Sequence, residues 1–154
     1  MPQSLTKIWV HLIFSTNNRY PFLNEINIQQ RTYNYIKKVC LDQQCELEAI
    51  GGVEDHVHLL INLNRKISLA NLVETIKKSS SKWIKSIDQE NNDLSQFYWQ
   101  KGYGAFSVSE SNINQVKLYI KNQQSHHQKL TFKEEIKRFL TQHHVAFNEK
   151  YLWD

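Results

Sequence analysis

The chain has 154 residues, 40% of them hydrophobic and 12% aromatic, which suits one globular unit with a real core and excludes a disordered chain. Its 19 Lys and Arg against 15 Asp and Glu leave a formal charge of +4, a bias toward a polyanionic partner that an ordinary basic protein would also show. No apolar run approaches the roughly 18–20 residues of a membrane helix, the first residues lack a signal peptide's regions, and Cys40 and Cys45 fit neither a disulfide framework nor a zinc-ribbon spacing. A cytoplasmic protein with free thiols is expected.

Residues 7–15 carry Ile8, Val10, Leu12 and Phe14 on one parity and Trp9, His11 and Ile13 on the other, which predicts a first strand covered on both faces. After Pro21, with Asn24 as the cap, Ile28, Thr32, Tyr35 and Val39 recur at helical spacing as far as residue 41. Residues 46–52 and 55–63 predict two strands joined as a hairpin by a short link containing glycine. Ser68 caps the next helix, whose stripe is Leu69, Leu72, Val73 and Ile76 and which continues through Trp83. Residues 88–96 read as a polar surface loop, and 97–100 and 105–108 as strand pieces around a bend at Gly102-Tyr103-Gly104. Ser109 is the expected cap of a helix from 110 to about 127, and Thr131 and Glu134 have capping-box spacing for a last helix bearing Phe132, Ile136, Phe139 and Leu140. No repeat or low-complexity tract interrupts the chain, so residues 1–154 read as a single domain. The order β-α-β-β-α-β-α predicts the α+β class: a ferredoxin-like antiparallel sheet (split βαβ, RRM-like) with an added C-terminal helix.

The triplet His56-Val57-His58 places two imidazoles on one face of the third strand, close enough to converge on a metal ion. Alone it is an unspecific signal. Val57, Leu59 and Ile61 should meet the two helices of the split βαβ unit, which turns His56, His58 and Leu60 to the opposite face. The helix from residue 110 is the candidate cover for that face. On it Tyr119 and Gln123 stand four apart, on one side, with Val116 as an apolar anchor.

Taken together, these stretches resemble the small single-tyrosine HUH transposases of bacterial and archaeal insertion sequences (IS200-like), including their REP-associated relatives. The resemblance runs over His11-Leu12-Ile13-Phe14-Ser15-Thr16 with Arg19 and Pro21, Gly51-Gly52 through Asp55-His56-Val57-His58-Leu59-Leu60, Ile76 to Lys82, Trp99 to Ser107, and Tyr119-Ile120-Lys121-Asn122-Gln123. It implies that His56, His58 and Gln123 are metal ligands, that Tyr119 is the catalytic nucleophile, and that the substrate is single-stranded DNA with hairpins at element ends. It further implies an obligate homodimer, and leaves open whether the Tyr119 helix serves its own subunit or the other.

A phosphotyrosine ester would store the energy of a broken phosphodiester without ATP and leave a 3′-hydroxyl free to attack. Two imidazoles and an amide leave the charge of a divalent ion undiminished, suiting a Lewis acid that orients phosphate. Mixed N and O donors point to Mg2+ on cellular abundance or Mn2+ on ligand preference. Lys77, Lys78 and Lys82 with Ser80 offer phosphate contacts or a solvated helix end, and Tyr103 a stacking surface for an unpaired base. Trp83 and Trp99 read as core residues. His127, four beyond Gln123, reads as a phosphate contact within reach of the site. Two other readings stand beside this one. A domesticated REP-associated protein would bind or nick hairpin DNA without moving an element. An RRM-like RNA-binding module is suggested by Lys101-Gly102-Tyr103-Gly104, but the inserted Ala105 would send later side chains to the wrong sheet face.

Overall fold

The computed structural model describes residues 2–87 and 93–153. Its sheet has four antiparallel strands in the order β2-β3-β1-β4, namely Glu46–Gly52, His56–Asn62, Trp9–Ser15 and Gly104–Val108. Helices α1 (Ile26–Asp42) and α2 (Leu69–Ser86) cover one face. This is the expected ferredoxin-like arrangement, with β1 beginning at Trp9 rather than at residue 7.

Parity sorts the side chains as anticipated. Leu12 and Phe14 of β1 and Val57, Leu59 and Ile61 of β3 share one core with Ile36, Val39, Leu72, Val73 and Ile76 of the two helices. The other face carries Trp9 and Leu60 under Ile120 of α3 (Ile113–Lys121). It also carries Ile13 and Phe106 under Ile136 and Leu140 of α5 (Phe132–Gln142). Between these apolar clusters lie the buried polar side chains His11, His56, His58, Gln123 and Glu135. An RRM-like protein binds RNA through an open sheet face bearing aromatics; here that face is roofed by α3 and α5, so the arrangement does not support the RNA-binding reading.

Several boundaries differ from expectation for local reasons. Asn24 does not cap α1; the cap position is Glu25, with no side-chain bond. Ser68 does cap α2, accepting from Asn71 N at 3.1 Å, and Thr131 and Glu134 form the expected capping box of α5. Residues 97–100 are no strand. Trp99 makes one isolated bridge to Thr16, and its indole donates to Ser80 Oγ at 2.8 Å. Of the expected loop at 88–96, the first five positions lie outside the described residues, and Asp93–Gln96 is a short 3-10 turn. The long helix expected from residue 110 is divided: a 3-10 turn at Glu110–Asn112 precedes α3, Asn122 breaks the run, and α4 (Gln123–His126) follows. A last short helix, α6 (Glu149–Leu152), brings Leu152 and Trp153 against the α5 cluster. No helix among the described residues is long and apolar enough to cross a membrane.

Gly51 sets how closely α3 approaches the sheet. A Cβ there would fall 2.5 Å from the Ile120 carbonyl oxygen, a backbone atom that moves only if the helix moves. Gly51→Ala is therefore expected to lift α3, cost about 1–3 kcal/mol of stability, and displace Tyr119 with it; urea unfolding measures the first effect.

Candidate metal and nucleophile site

The hairpin of β2 and β3 delivers the two histidines. In register, His58 lies across from Ile13 and His56 across from Ser15, so both rings enter the seam between the apolar clusters and both are fully buried. Each is held from behind. His56 Nδ1 lies 2.7 Å from Asp55 Oδ1, and His58 Nδ1 lies 2.8 Å from His11 Nε2. With those nitrogens engaged, both Nε2 atoms face inward, which is the arrangement that fixes the orientation of ligating imidazoles.

What they face was not anticipated. Glu135 of α5 is 1% exposed, and its Oε1 lies 2.9 Å from His58 Nε2, 3.3 Å from His56 Nε2 and 3.2 Å from His127 Nε2. Its Oε2 accepts from the Tyr119 hydroxyl. Gln123 is buried as well, its Oε1 3.0 Å from His127 Nε2 and its Nε2 3.4 Å from Glu135 Oε2. The structure thus places His56, His58, Gln123 and Tyr119 near one another within one chain, an arrangement that their spacing had left open. It also moves His127 from an expected phosphate contact into the cluster itself, 3.0 Å from His56 Nε2.

The remaining candidates lie elsewhere. Ser80 is sealed in the core, donating to the Ile76 carbonyl at 2.6 Å while accepting from Trp99, which leaves no hydroxyl for a phosphate. Lys77 donates to the carbonyls of Gln100 and Gly102 at 2.7 and 2.5 Å, bracing the turn where Gly102 has φ +81°. Lys78 and Lys82 are exposed, and Tyr103 is 42% exposed. Trp83 stacks on Tyr35, centroids 4.9 Å apart.

Three missed residues carried some signal. Asp55 directly precedes His56, His11 shares the parity of Trp9 and Ile13, and Glu135 falls three positions after Phe132 and four before Phe139, an acid on an otherwise apolar stripe. An acid at such a position needs buried partners.

The charges follow from these contacts. Burial pushes the Glu135 carboxyl up, but the bonds from His127, His56 and His58 together outweigh it and leave the carboxyl well below the ordinary range. Burial would lower His56, yet Asp55 and Glu135 raise it above 6.5. His58 is lowered to about 4, mainly by burial, and His11 to about 3 by burial and then by His58. Burial, and next the Glu135 bond, push the Tyr119 phenol up, so the nucleophile candidate is protonated at neutral pH.

A pH dependence of stability follows. Between pH 6.5 and 4.5 the unfolded chain takes up protons at His11 and His58 that the folded chain refuses. Each site then removes stability at up to about 1.4 kcal/mol per unit of falling pH. His56 is protonated in both states below 6.5, so its contribution is constant there and is lost only as pH rises through its folded value. Glu135 adds its own loss only below its ordinary 4.5. Urea unfolding in chelator at pH 6.5, 5.5 and 4.5 should show the decline, and His11→Gln should make it shallower.

The donor set fits a divalent ion. One ligand atom from each of His56, His58, His127 and Glu135 lies within 4.8 Å of the others. Bond lengths of roughly 2.0–2.2 Å would hold such donors up to about 4.4 Å apart, so closure needs only small shifts. Beside the cluster a cleft of about 840 Å3, lined by Tyr119, Asn122, Lys129, Arg138 and Gln142, opens the half-buried phenol to solvent. His126 stacks on the Tyr119 ring with centroids 4.5 Å apart.

Comparison with known proteins gives a consistent picture. The family model described as "Transposase IS200 like" matches residues 4–123. A protein of Deinococcus radiodurans R1 described as a transposase superposes with TM-score 0.61 at 24% identity, over 78% of this chain and 93% of its own. A REP-associated tyrosine transposase bound to a REP hairpin superposes with TM-score 0.58 at 18% identity, over 81% of this chain and 72% of its own. No curated protein sequence matches the chain.

Proposed function

Because the chain belongs to the IS200-like transposase family, we propose that it cuts and rejoins single-stranded DNA at element ends through a 5′-phosphotyrosine bond to Tyr119. The observation that carries this reading is the convergence, within one chain, of the His56–His58 pair and the Tyr119 hydroxyl on Glu135, beside a cleft rimmed by Lys129 and Arg138. Those two cations suit the phosphates on either side of the cut.

His56, His58 and Gln123, joined by His127, would hold the ion, which when bound supplies Lewis-acid polarisation of the scissile phosphate. An imidazole-rich set suits Mn2+ better than the oxygen-loving Mg2+. The chain's own contribution is placement. His126 packs one side of the Tyr119 ring, and Glu135 fixes its hydroxyl. As the bond from Oη to phosphorus forms, the bond from phosphorus to O3′ breaks. The phenol proton leaves to water in the cleft and O3′ takes one up as the free 3′-hydroxyl. Glu135, held strongly ionised by its three histidine partners, is too weak a base to keep that proton and serves better to aim the oxygen.

The hairpin bound by the REP-associated neighbour supports hairpin DNA as the partner here. A homodimer would bring two such sites to two element ends, and the cis contact of Tyr119 with Glu135 supports a whole site in each copy. The test is incubation with single-stranded DNA from the two flanks of the protein's own gene, with Mn2+. A protein–DNA adduct that survives detergent is expected. DNA binding without an adduct would leave a binding protein and overturn the reading.

A further inference from the structure

We propose that Glu135 is shared between the ion and the nucleophile: one carboxylate oxygen completes the cation site, and the other positions the Tyr119 hydroxyl. This rests on the reading of Tyr119 given above. Glu135 stands twelve residues past the end of the family match at residue 123, so the segment beyond that match would supply part of the site.

The two oxygens divide their partners. Oε1 meets the three imidazole Nε2 atoms of His58, His127 and His56 at 2.9, 3.2 and 3.3 Å, where a metal ion would also draw them. Oε2 meets the Tyr119 hydroxyl, with the Gln123 amide 3.4 Å away. Partners on both oxygens would satisfy any buried carboxylate, but one rigid planar group that joins the imidazole cluster to the phenol also fixes the reacting oxygen relative to the ion. Its negative charge also offsets half of a divalent ion's, which neutral ligands cannot do. The arm is anchored independently of the site: the capping box at Thr131 starts α5, and Ile136 and Leu140 seat it on Ile13 and Phe106.

The experiment uses the full chain and three readouts: Mn2+ affinity by calorimetry, the single-turnover rate of adduct formation at saturating Mn2+, and DNA affinity. Melting in chelator verifies folding. Glu135→Gln, which keeps the size and removes the charge, is expected to weaken Mn2+ binding and slow adduct formation each about tenfold or more, with DNA affinity unchanged. Glu135→Asp keeps the charge on a shorter arm, so Mn2+ binding should recover more than the rate. Should the Gln variant not fold, the Asp split decides: a rate that recovers in step with Mn2+ binding overturns positioning. Wild-type Mn2+ affinity, or a wild-type rate, in a folded Gln variant overturns the proposal. A wild-type protein that binds Mn2+ through Glu135 yet forms no adduct would overturn the sharing with Tyr119 through failure of the Tyr119 reading, and the calorimetry separates that case.

Discussion

Tyr119→Phe is expected to bind hairpin DNA as tightly as wild type and to form no covalent adduct, a loss on the order of a thousandfold or more. The substitution removes one atom. The ring keeps its stacking on His126 and its edge contacts with His58 and Phe139, so the helix has no reason to move. What is lost is the oxygen that faces both the cleft and Glu135. The carboxylate retains its histidine partners and Gln123, so the stability cost should stay within about 1–3 kcal/mol. Gel shift and adduct assays on one preparation separate the two properties. An adduct persisting in the Phe variant would move the nucleophile elsewhere.

His58→Ala should abolish metal binding, weakening Mn2+ by about a hundredfold or more. His58 is fully buried and is the ring through which β3 reaches both His11 and Glu135. Its removal leaves a cavity, takes one of three imidazole partners from Glu135 and leaves the His11 ring nitrogen without its partner, so the metal-free protein should also lose stability, by about 1–3 kcal/mol. His58→Asn keeps a polar atom in the cavity and separates the two effects. In wild type Mn2+ should raise the melting temperature by mass action; in either variant it should not. Equal Mn2+-induced shifts in wild type and both variants would place the ion away from β3.

Much of this site was legible because period-2 patterning on β3 leaves no freedom. With Val57, Leu59 and Ile61 committed to the helices, His56 and His58 had to share the other face with Leu60. The spacing of Tyr119 and Gln123 likewise survived the break at Asn122 (φ −96°, ψ 23°), since helix resumes directly at Gln123 and its amide still reaches the Tyr119 carbonyl at 3.4 Å. The rest depended on tertiary contacts that local pattern does not encode. Glu135 looks like one of two acids opening an exposed helix, and only the docking of Ile136 and Leu140 on β1 and β4 turns it inward. Ser80 sits among lysines and serines that read as a phosphate patch, yet the indole of Trp99, nineteen residues on, claims its oxygen. His127 was placed by helical spacing near the site, but its contact with Glu135 depends on where α5 lies. Residues 97–100 have strand composition, but the sheet edge beside them ends with a single bridge at Thr16.

Mass-spectrometric mapping of the wild-type adduct tests the central claim most directly. After digestion of protein and DNA, the expected product is one peptide carrying a nucleotide joined through its 5′-phosphate to Tyr119, formed only with a divalent ion and absent from the Phe variant. A linkage at any other residue, or a 3′-phosphate in place of the 5′-phosphate, would contradict it.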